Sequence, residues 1–271
     1  MALSVVLIGA HPDDSEIFAG GTALLWLRAG ARVTMVSATN GDVGHFEQQG
    51  QELASRRAAE STAPATRFGY THRILDNHDG ELLPTLEVRR ELIRIIREAR
   101  ADIVATHRPW DYHPDHRYTA MAVQDAAYLV TVPHICPETP RLEVNPVFLY
   151  MMDRFQKPYP FKADVAVDVG PVMEEKWAMI EGMESQLYEW LPWLDGTIDS
   201  VPKDSQKRLE WLREQWEPFF RAPAAQSAEA LAKWYGADAR SVAYAELFEV
   251  CEYGTQPDDA MLRRLFPFLP R

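Results

Sequence analysis

A chain of 271 residues is long enough to bury a sizeable core, either as one large α/β domain or as a domain with an appended segment. Its 28 Lys and Arg against 40 Asp and Glu leave a net charge of -12, which speaks against nucleic acid or an anionic membrane as partner, since both attract basic surfaces. The two cysteines, Cys136 and Cys251, exclude a disulfide framework and a four-thiolate zinc site, and they read as buried core thiols.

The first apolar run, Leu3, Val5, Val6, Leu7 and Ile8, is far shorter than the ~20 residues of a membrane helix and has no basic flank. A soluble cytoplasmic protein is therefore expected. Short β-branched runs then alternate with helix-length amphipathic stretches, the pattern of a parallel sheet covered by helices. Strands are predicted at residues 4–10, 32–39, 72–76, 102–106, 146–152 and 164–169. Helices are predicted between them at residues 16–29, 52–67, 86–99 and 115–128, and a longer one follows at 172–188. The expected fold is α/β over residues 1–190: a Rossmann-like wound, mainly parallel sheet with helices on both faces.

Beyond Leu191 the regular alternation is lost. Pro192, Pro202, Pro218 and Pro223 punctuate the chain, and Trp190, Trp193, Trp211, Trp216 and Trp234 make it rich in aromatic residues. Residues 191–271 are accordingly expected to be an irregular C-terminal extension packed on the main domain. No internal repeat or heptad seam is present.

In an open parallel sheet the ligand crevice lies at the carboxyl ends of the strands, where the winding reverses. Two polar clusters fall at such ends: Gly9-Ala10-His11-Pro12-Asp13-Asp14-Ser15-Glu16 after the first strand, and His107-Arg108-Pro109-Trp110-Asp111-Tyr112-His113-Pro114-Asp115-His116 after the fourth. Neighbouring strands would bring both into one crevice. Imidazole nitrogens and carboxylate oxygens are the usual ligands of a catalytic zinc, and three protein ligands leave a position for water. His11, Asp14 and His116 would supply such a set, with Asp13 and His113 beside it as a proton acceptor and an oxyanion partner. Each cluster alone has a plainer reading. A lone histidine is more often packed or solvated than a ligand, and Asp-Asp ahead of a helix is commonly a cap.

The stretch Ala10-His11-Pro12-Asp13-Asp14-Ser15-Glu16, followed by Gly20-Gly21-Thr22, resembles the opening signature of the LmbE-like (PIG-L) N-acetylglucosaminyl deacetylases. Asp111-Tyr112-His113-Pro114-Asp115-His116 is similar to the partner motif, Thr39-Asn40-Gly41-Asp42 to the Thr-x-Gly-acid after strand two, and Arg57-Ala58-Ala59-Glu60 with Phe68-Gly69 to the Arg-x-x-Glu helix. The resemblance spans residues 3–170 and implies one zinc ion per chain held by His11, Asp14 and His116. It further implies Asp13 as general base, a protonated His113 on the oxyanion side, Arg57 in contact with substrate, and Asp79 and Asp111 lining the site. The implied activity is hydrolysis of an N-acyl group, foremost acetyl, on a small amino-sugar compound. A homo-oligomer is compatible with the resemblance and with the aromatic tail. Pro64 departs from the pattern and is expected to kink its helix.

The remaining features are weaker. Gly20-Gly21 is not the G-x-G-x-x-G of a dinucleotide site. His45 lies in a loop that could approach the crevice, while His72, His78, His107 and His134 have no distinguishing spacing and read as structural. The tail tryptophans could stack on sugar faces, but such residues more often bury area in a core or interface. Two other functions use a similar constellation: a non-haem iron(II) oxygenase with the same two-histidine, one-carboxylate set, and a metal-containing sugar-binding protein without turnover.

Overall fold

The protein is described here by a computed structural model covering residues 2–270. β1 (Ser4–Gly9) places Val5 and Leu7 in one apolar core and Val6 and Ile8 in the other. A strand buried on both faces has no polar side to show, so it reads as a continuous apolar run. After it come α1 (Asp14–Arg28), β2 (Arg32–Ser37), α2 (Gly50–Phe68), β3 (Thr71–Ile74), α3 (Leu86–Ala99), β4 (Ile103–Thr106), α4 (Pro114–Leu129), β5 (Val147–Met151) and β6 (Val165–Asp168). Each predicted strand and each of the first four predicted helices is present, displaced by at most two residues at an end.

β1 pairs in parallel with β2 on one side and with β4 on the other, so the winding reverses between β1 and β4. α3 and α4 cover one face, packing Leu92, Ile93, Ile96, Val123 and Ala126 on Val6, Ile8 and Val104. α3 is the most clearly amphipathic element: its buried positions include Val88, Leu92, Ile93 and Ile96, and the Thr85 hydroxyl caps its start by accepting from Val88 N. α1 covers the opposite face through Ala19, Ala23 and Trp26.

Two expectations meet a different chain. The helix predicted at 172–188 is interrupted: α5 (Met173–Ile180) ends ahead of Gly182, and a π-helical turn (Ser185–Trp190) leads into α6 (Leu191–Leu194). The Ser185 N–H and hydroxyl both go to the Glu60 carboxylate of α2 (3.0 and 2.6 Å), a competing partner that no local pattern reveals. The segment expected as an irregular extension is largely helical, with α7 (Ser205–Gln226) and α8 (Ala228–Tyr235). It then enters the sheet as β7 (Ala245–Gly254) and ends in α9 (Asp259–Leu265). The sheet order is β3-β2-β1-β4-β5-β7-β6, with β7 antiparallel to both neighbours.

β7 is tied to the opening motif by a buried ion pair. Glu246 accepts from Gly21 N, Thr22 N and the Thr22 hydroxyl of α1, while Lys176 of α5 donates to Glu246 and to the Ile17 carbonyl. The Gly20-Gly21-Thr22 stretch is thus a seat for a carboxylate of the last strand. α2 continues through Pro64 as far as Phe68.

Arg97 of α3 is only 2% exposed, and its guanidinium donates to the carbonyls of Leu129, Val130, Val132, Ile135, Cys136 and Thr139 at 2.6–3.0 Å. It therefore closes the carboxyl end of α4 and the loop after it. Arg97→Met keeps the stem but leaves these acceptors without their donor, which should cost about 3 kcal/mol and lower Tm by on the order of 10 °C. A thermal melt within about 2 °C of the unsubstituted protein would contradict this role.

Candidate active site

The crevice forms where the β1 and β4 loops run into α1 and α4. Gly9 permits the close turn from strand to helix, since a Cβ there would lie 2.6 Å from the Asp14 Cβ. Asp14 opens α1 and accepts from the N–H groups of Ala10 (2.9 Å) and His11 (2.7 Å), which fixes its carboxylate. Across the crevice, Pro114 occupies the first turn of α4, where a missing N–H is harmless, and His116 lies within that same turn. The structure brings His11, Asp14 and His116 together. His11 Nδ1 is 3.4 Å from Asp14 Oδ2, His116 Nε2 is 3.4 Å from Asp14 Oδ1, and the two imidazole nitrogens are 3.3 Å apart. Four ligands at zinc–nitrogen and zinc–oxygen distances define a tetrahedron with edges of about 3.4 Å.

Each imidazole turns its other nitrogen to a carboxylate. His11 Nε2 lies 3.1 Å from Asp79 Oδ1 and 3.5 Å from Asp115 Oδ2, and His116 Nδ1 lies 3.1 Å from Asp111 Oδ2. These are ion-pair contacts rather than aligned hydrogen bonds, and both nitrogens are buried without an aligned partner. Asp79 and Asp111, expected to line the site toward substrate, thus stand behind the two histidines, the place from which a carboxylate orients a ligand imidazole. Asp115 is wholly buried and accepts from Gly80 N and Leu82 N, holding the Asp79 loop over the site. Burial lowers the affinity of His116 for a proton, but Asp14 and Asp111 outweigh it and hold the imidazole up at about 9. His11 is also raised, with Asp115, Asp14 and Asp79 overcoming its burial.

His107, assigned a structural place from its spacing, belongs to this cluster. It stacks on His116 with ring centroids 4.0 Å apart, and its Nε2 lies 3.2 Å from Asp14 Oδ2 and 3.1 Å from Ala10 N. Its signal in the sequence was positional: it is the first residue beyond β4. Burial, followed by the charge of His116, lowers its pKa, so it lies against the cluster as a neutral ring.

Asp13 is the N-cap residue of α1 but makes no cap hydrogen bond; its Oδ2 instead accepts from Arg57 Nη2 at 3.2 Å. Arg57 was expected to contact substrate, yet it is 2% exposed. Its Nη1 donates to the Gly41 carbonyl (3.3 Å) and lies 3.6 Å from Asp79 Oδ2. Gly41, with φ of 71°, is required by this arrangement, because a Cβ would meet the guanidinium at 2.5 Å. The charge of Arg57 is thus directed at two carboxylates of the site. Burial raises the Asp13 carboxyl to about 6, against the pull of Arg57 and with a push from Asp14.

His113 caps α4 and stands edge-on to His11, with ring centroids 4.6 Å apart. Its Nδ1 accepts the Asp115 N–H at 3.2 Å, which assigns the proton of the neutral ring to Nε2. Burial and the charges of His11 and His116 push its pKa down. This favours the neutral ring, which still offers an N–H, over the protonated form that was expected.

Of the other histidines, His45 contacts Glu189 through Nε2 at 2.9 Å, and His78 contacts Asp42 at 2.6 Å. His72 lies between Ser37 and the buried Glu16, which also accepts from the Tyr70 hydroxyl. This second polar group supports the first turn of α1 from below.

Residues 6–127 match the family described as PIG-L: GlcNAc-PI de-N-acetylase. A diacetylchitobiose deacetylase of Thermococcus kodakarensis is 32% identical over 201 residues, 70% of this chain and 74% of that protein. A 1D-myo-inositol 2-acetamido-2-deoxy-alpha-D-glucopyranoside deacetylase of Catenulispora acidiphila is 32% identical over 46% of this chain, and the match spans about half of that relative (51%). Among solved structures, the N,N'-diacetylchitobiose deacetylase of Pyrococcus horikoshii superposes with a TM-score of 0.69 at 27% identity, covering 91% of this chain and 83% of that one. A 4-carboxy-2-hydroxymuconate hydratase of Pseudomonas putida reaches 0.74 at 19% identity, covering 95% and 99%, so this fold by itself does not decide the reaction. Extended sequence identity together with the family match does: the chain belongs to the PIG-L family, a family of hydrolytic N-deacetylases.

Proposed function

We propose that the protein removes an acetyl group from the nitrogen of an amino-sugar compound, using one zinc ion per chain held by His11, Asp14 and His116. The observation that carries this reading is the convergence of three side chains: His11 Nδ1 and His116 Nε2 lie 3.3 Å apart, each 3.4 Å from one of the two oxygens of the Asp14 carboxylate, with Asp13 next to Asp14 in the chain and His113 edge-on to His11. The site suits a dication chemically as well: its donors are two imidazoles and a carboxylate, with further carboxylates behind the imidazoles. Zinc bound there would lower the pKa of water to about 7 and polarise the acyl oxygen.

The remaining work falls to side chains of this chain. With Oδ2 held by Arg57, Asp13 has Oδ1 left to take a proton from the attacking water and then to pass it to the leaving nitrogen. His113, neutral and with its proton on Nε2, donates to the oxygen on which charge develops. Asp79 and Asp111 keep the two ligand imidazoles turned, and Arg57 joins Asp13 to Asp79 so that base and ligand shell keep a common frame. An iron(II) oxygenase would give neither Asp13 nor His113 a task.

Dialysis against a strong chelator should abolish release of acetate from N-acetylglucosamine compounds, and about one equivalent of zinc should restore it. Turnover that survives complete metal removal, or that requires iron(II) and dioxygen, would refute the proposal.

A further inference from the structure

His107 touches two of the proposed metal ligands at once. Its ring lies parallel to that of His116, with planes 6° apart and centroids 4.0 Å apart, and its Nε2 is 3.2 Å from Asp14 Oδ2. It is buried, and Phe18 of α1 meets it edge-on at 6.0 Å. Phe18 is in turn backed by Phe219 of α7, with ring centroids 6.1 Å apart. No step of the proposed reaction uses His107.

Atoms of Asp14, His107 and His116 also converge within 4.8 Å, which makes His107 a candidate ligand in its own right. The ring planes exclude it. An imidazole binds a metal through a lone pair that lies in the plane of the ring, and two parallel, stacked planes share no point where one ion could sit. The rings of His11 and His116 are inclined at 52°, so their planes do intersect. A shell that includes His116 therefore leaves His107 outside it.

The contact with Asp14 has a definite sense. Ala10 N–H reaches both Asp14 Oδ2 (2.9 Å) and His107 Nε2 (3.1 Å), and the shorter contact goes to the carboxylate. An unprotonated Nε2 would set its lone pair against Oδ2, whereas an Nε2–H donates to it. Oδ2 then has three donors, the third being His11 N–H at 2.7 Å, while Oδ1 accepts no hydrogen bond among the described residues. Oδ1 faces His116 Nε2 at 3.4 Å and keeps its lone pairs for a metal.

Resting on the zinc site proposed above, we infer that His107 is a positioning residue for that site. Its Nε2–H turns the Asp14 carboxylate so that Oδ1 is presented to the ion, and its face fixes the plane of the His116 ring. Partners behind a ligand raise metal affinity by holding it in the binding geometry before the ion arrives.

The test uses the unsubstituted protein and three variants. His107→Phe keeps a ring on His116 but has no N–H, His107→Gln keeps an N–H near the place of Nε2 but has no ring, and His107→Ala has neither. Zinc affinity is measured by competition with a chromophoric chelator, and the d–d absorption of cobalt(II) loaded in place of zinc reports the ligand geometry. His107→Ala should weaken zinc about ten- to a hundredfold and alter the cobalt bands, while His107→Phe and His107→Gln should each lose less. Zinc affinity within about twofold of the unsubstituted protein and unchanged cobalt bands in all three variants would overturn the inference. So would equal losses in all three. Losses as deep as that of His116→Ala would make His107 a ligand, and losses matched by a fall in the metal-free melting temperature would make it packing alone. If the unsubstituted protein takes up neither zinc nor cobalt, the zinc site itself falls, and this inference with it.

Discussion

His116→Ala is expected to lose zinc during dialysis against a mild chelator that leaves the unsubstituted protein fully loaded. One of three ligand atoms is removed, and the other two, His11 Nδ1 and the Asp14 carboxylate, cannot complete a tetrahedral shell. The loss should reach orders of magnitude in affinity. A second readout comes from protons. In the metal-free protein the carboxylates around His116 hold its pKa up at about 9, so that imidazole carries a proton at neutral pH, and burial of His11 is likewise outweighed by Asp115, Asp14 and Asp79. Zinc needs the unprotonated nitrogen of His116 and must displace its proton. Apparent affinity therefore rises with pH up to about 9, and calorimetry at pH 7 in buffers of different ionisation enthalpy should report at least one proton released per zinc. The linkage to metal-free stability has the opposite sign. A folded-state pKa of about 9 against an unfolded value of about 6.5 adds stability that is complete below the unfolded value and is lost as pH rises through the folded one. Stoichiometric zinc in dialysed His116→Ala, or uptake without proton release, would refute the assignment of His116 as ligand.

The strands and the first four helices were legible because each obeys a local rule: buried β-branched runs for strands, a 3.6-residue apolar period for helices, and Pro114 at a helix start. The two clusters were legible because strand order in a wound sheet places the ends of β1 and β4 side by side. What escaped was decided by distant partners. β7 carries Glu246 and Glu249 among its buried positions, and these break the apolar pattern that marks a strand; Glu246 is tolerated because Lys176 and α1 meet it there. The interruption after α5 depends on Glu60, 125 residues away from Ser185. The roles of Arg57, Asp79 and Asp111 depend on which way their side chains turn, and spacing carries no information about that. His107 escaped for another reason: it was weighed by its spacing to other histidines rather than by its place at a strand end.

The sharpest test of the chemistry separates Asp13 from its neighbour Asp14. Asp13→Asn keeps the shape and one accepting oxygen for Arg57 but removes the basic carboxylate, so kcat should fall by roughly 10²–10⁴-fold. Zinc should stay bound, because the converging groups of His11, Asp14 and His116 do not include Asp13. His113 makes the complementary case. Its Nδ1 is committed to the Asp115 N–H and its pKa is pushed down, which on the proposed mechanism makes it a neutral donor. His113→Ala should then cost roughly 10²–10³-fold in kcat and leave the position of the acidic limb of the pH profile unchanged. His113→Gln, which restores an N–H donor, should recover part of that loss. If His113 instead acted as a protonated acid, both variants would lose the basic limb of kcat/KM against pH, and neither would recover. The deciding measurement is kcat and kcat/KM from pH 5 to 9 for all three variants, with zinc content determined in the same samples. Near-normal turnover by zinc-loaded Asp13→Asn would remove Asp13 from the mechanism even with the metal site intact, since a side chain without a basic oxygen cannot carry the water proton to the leaving nitrogen.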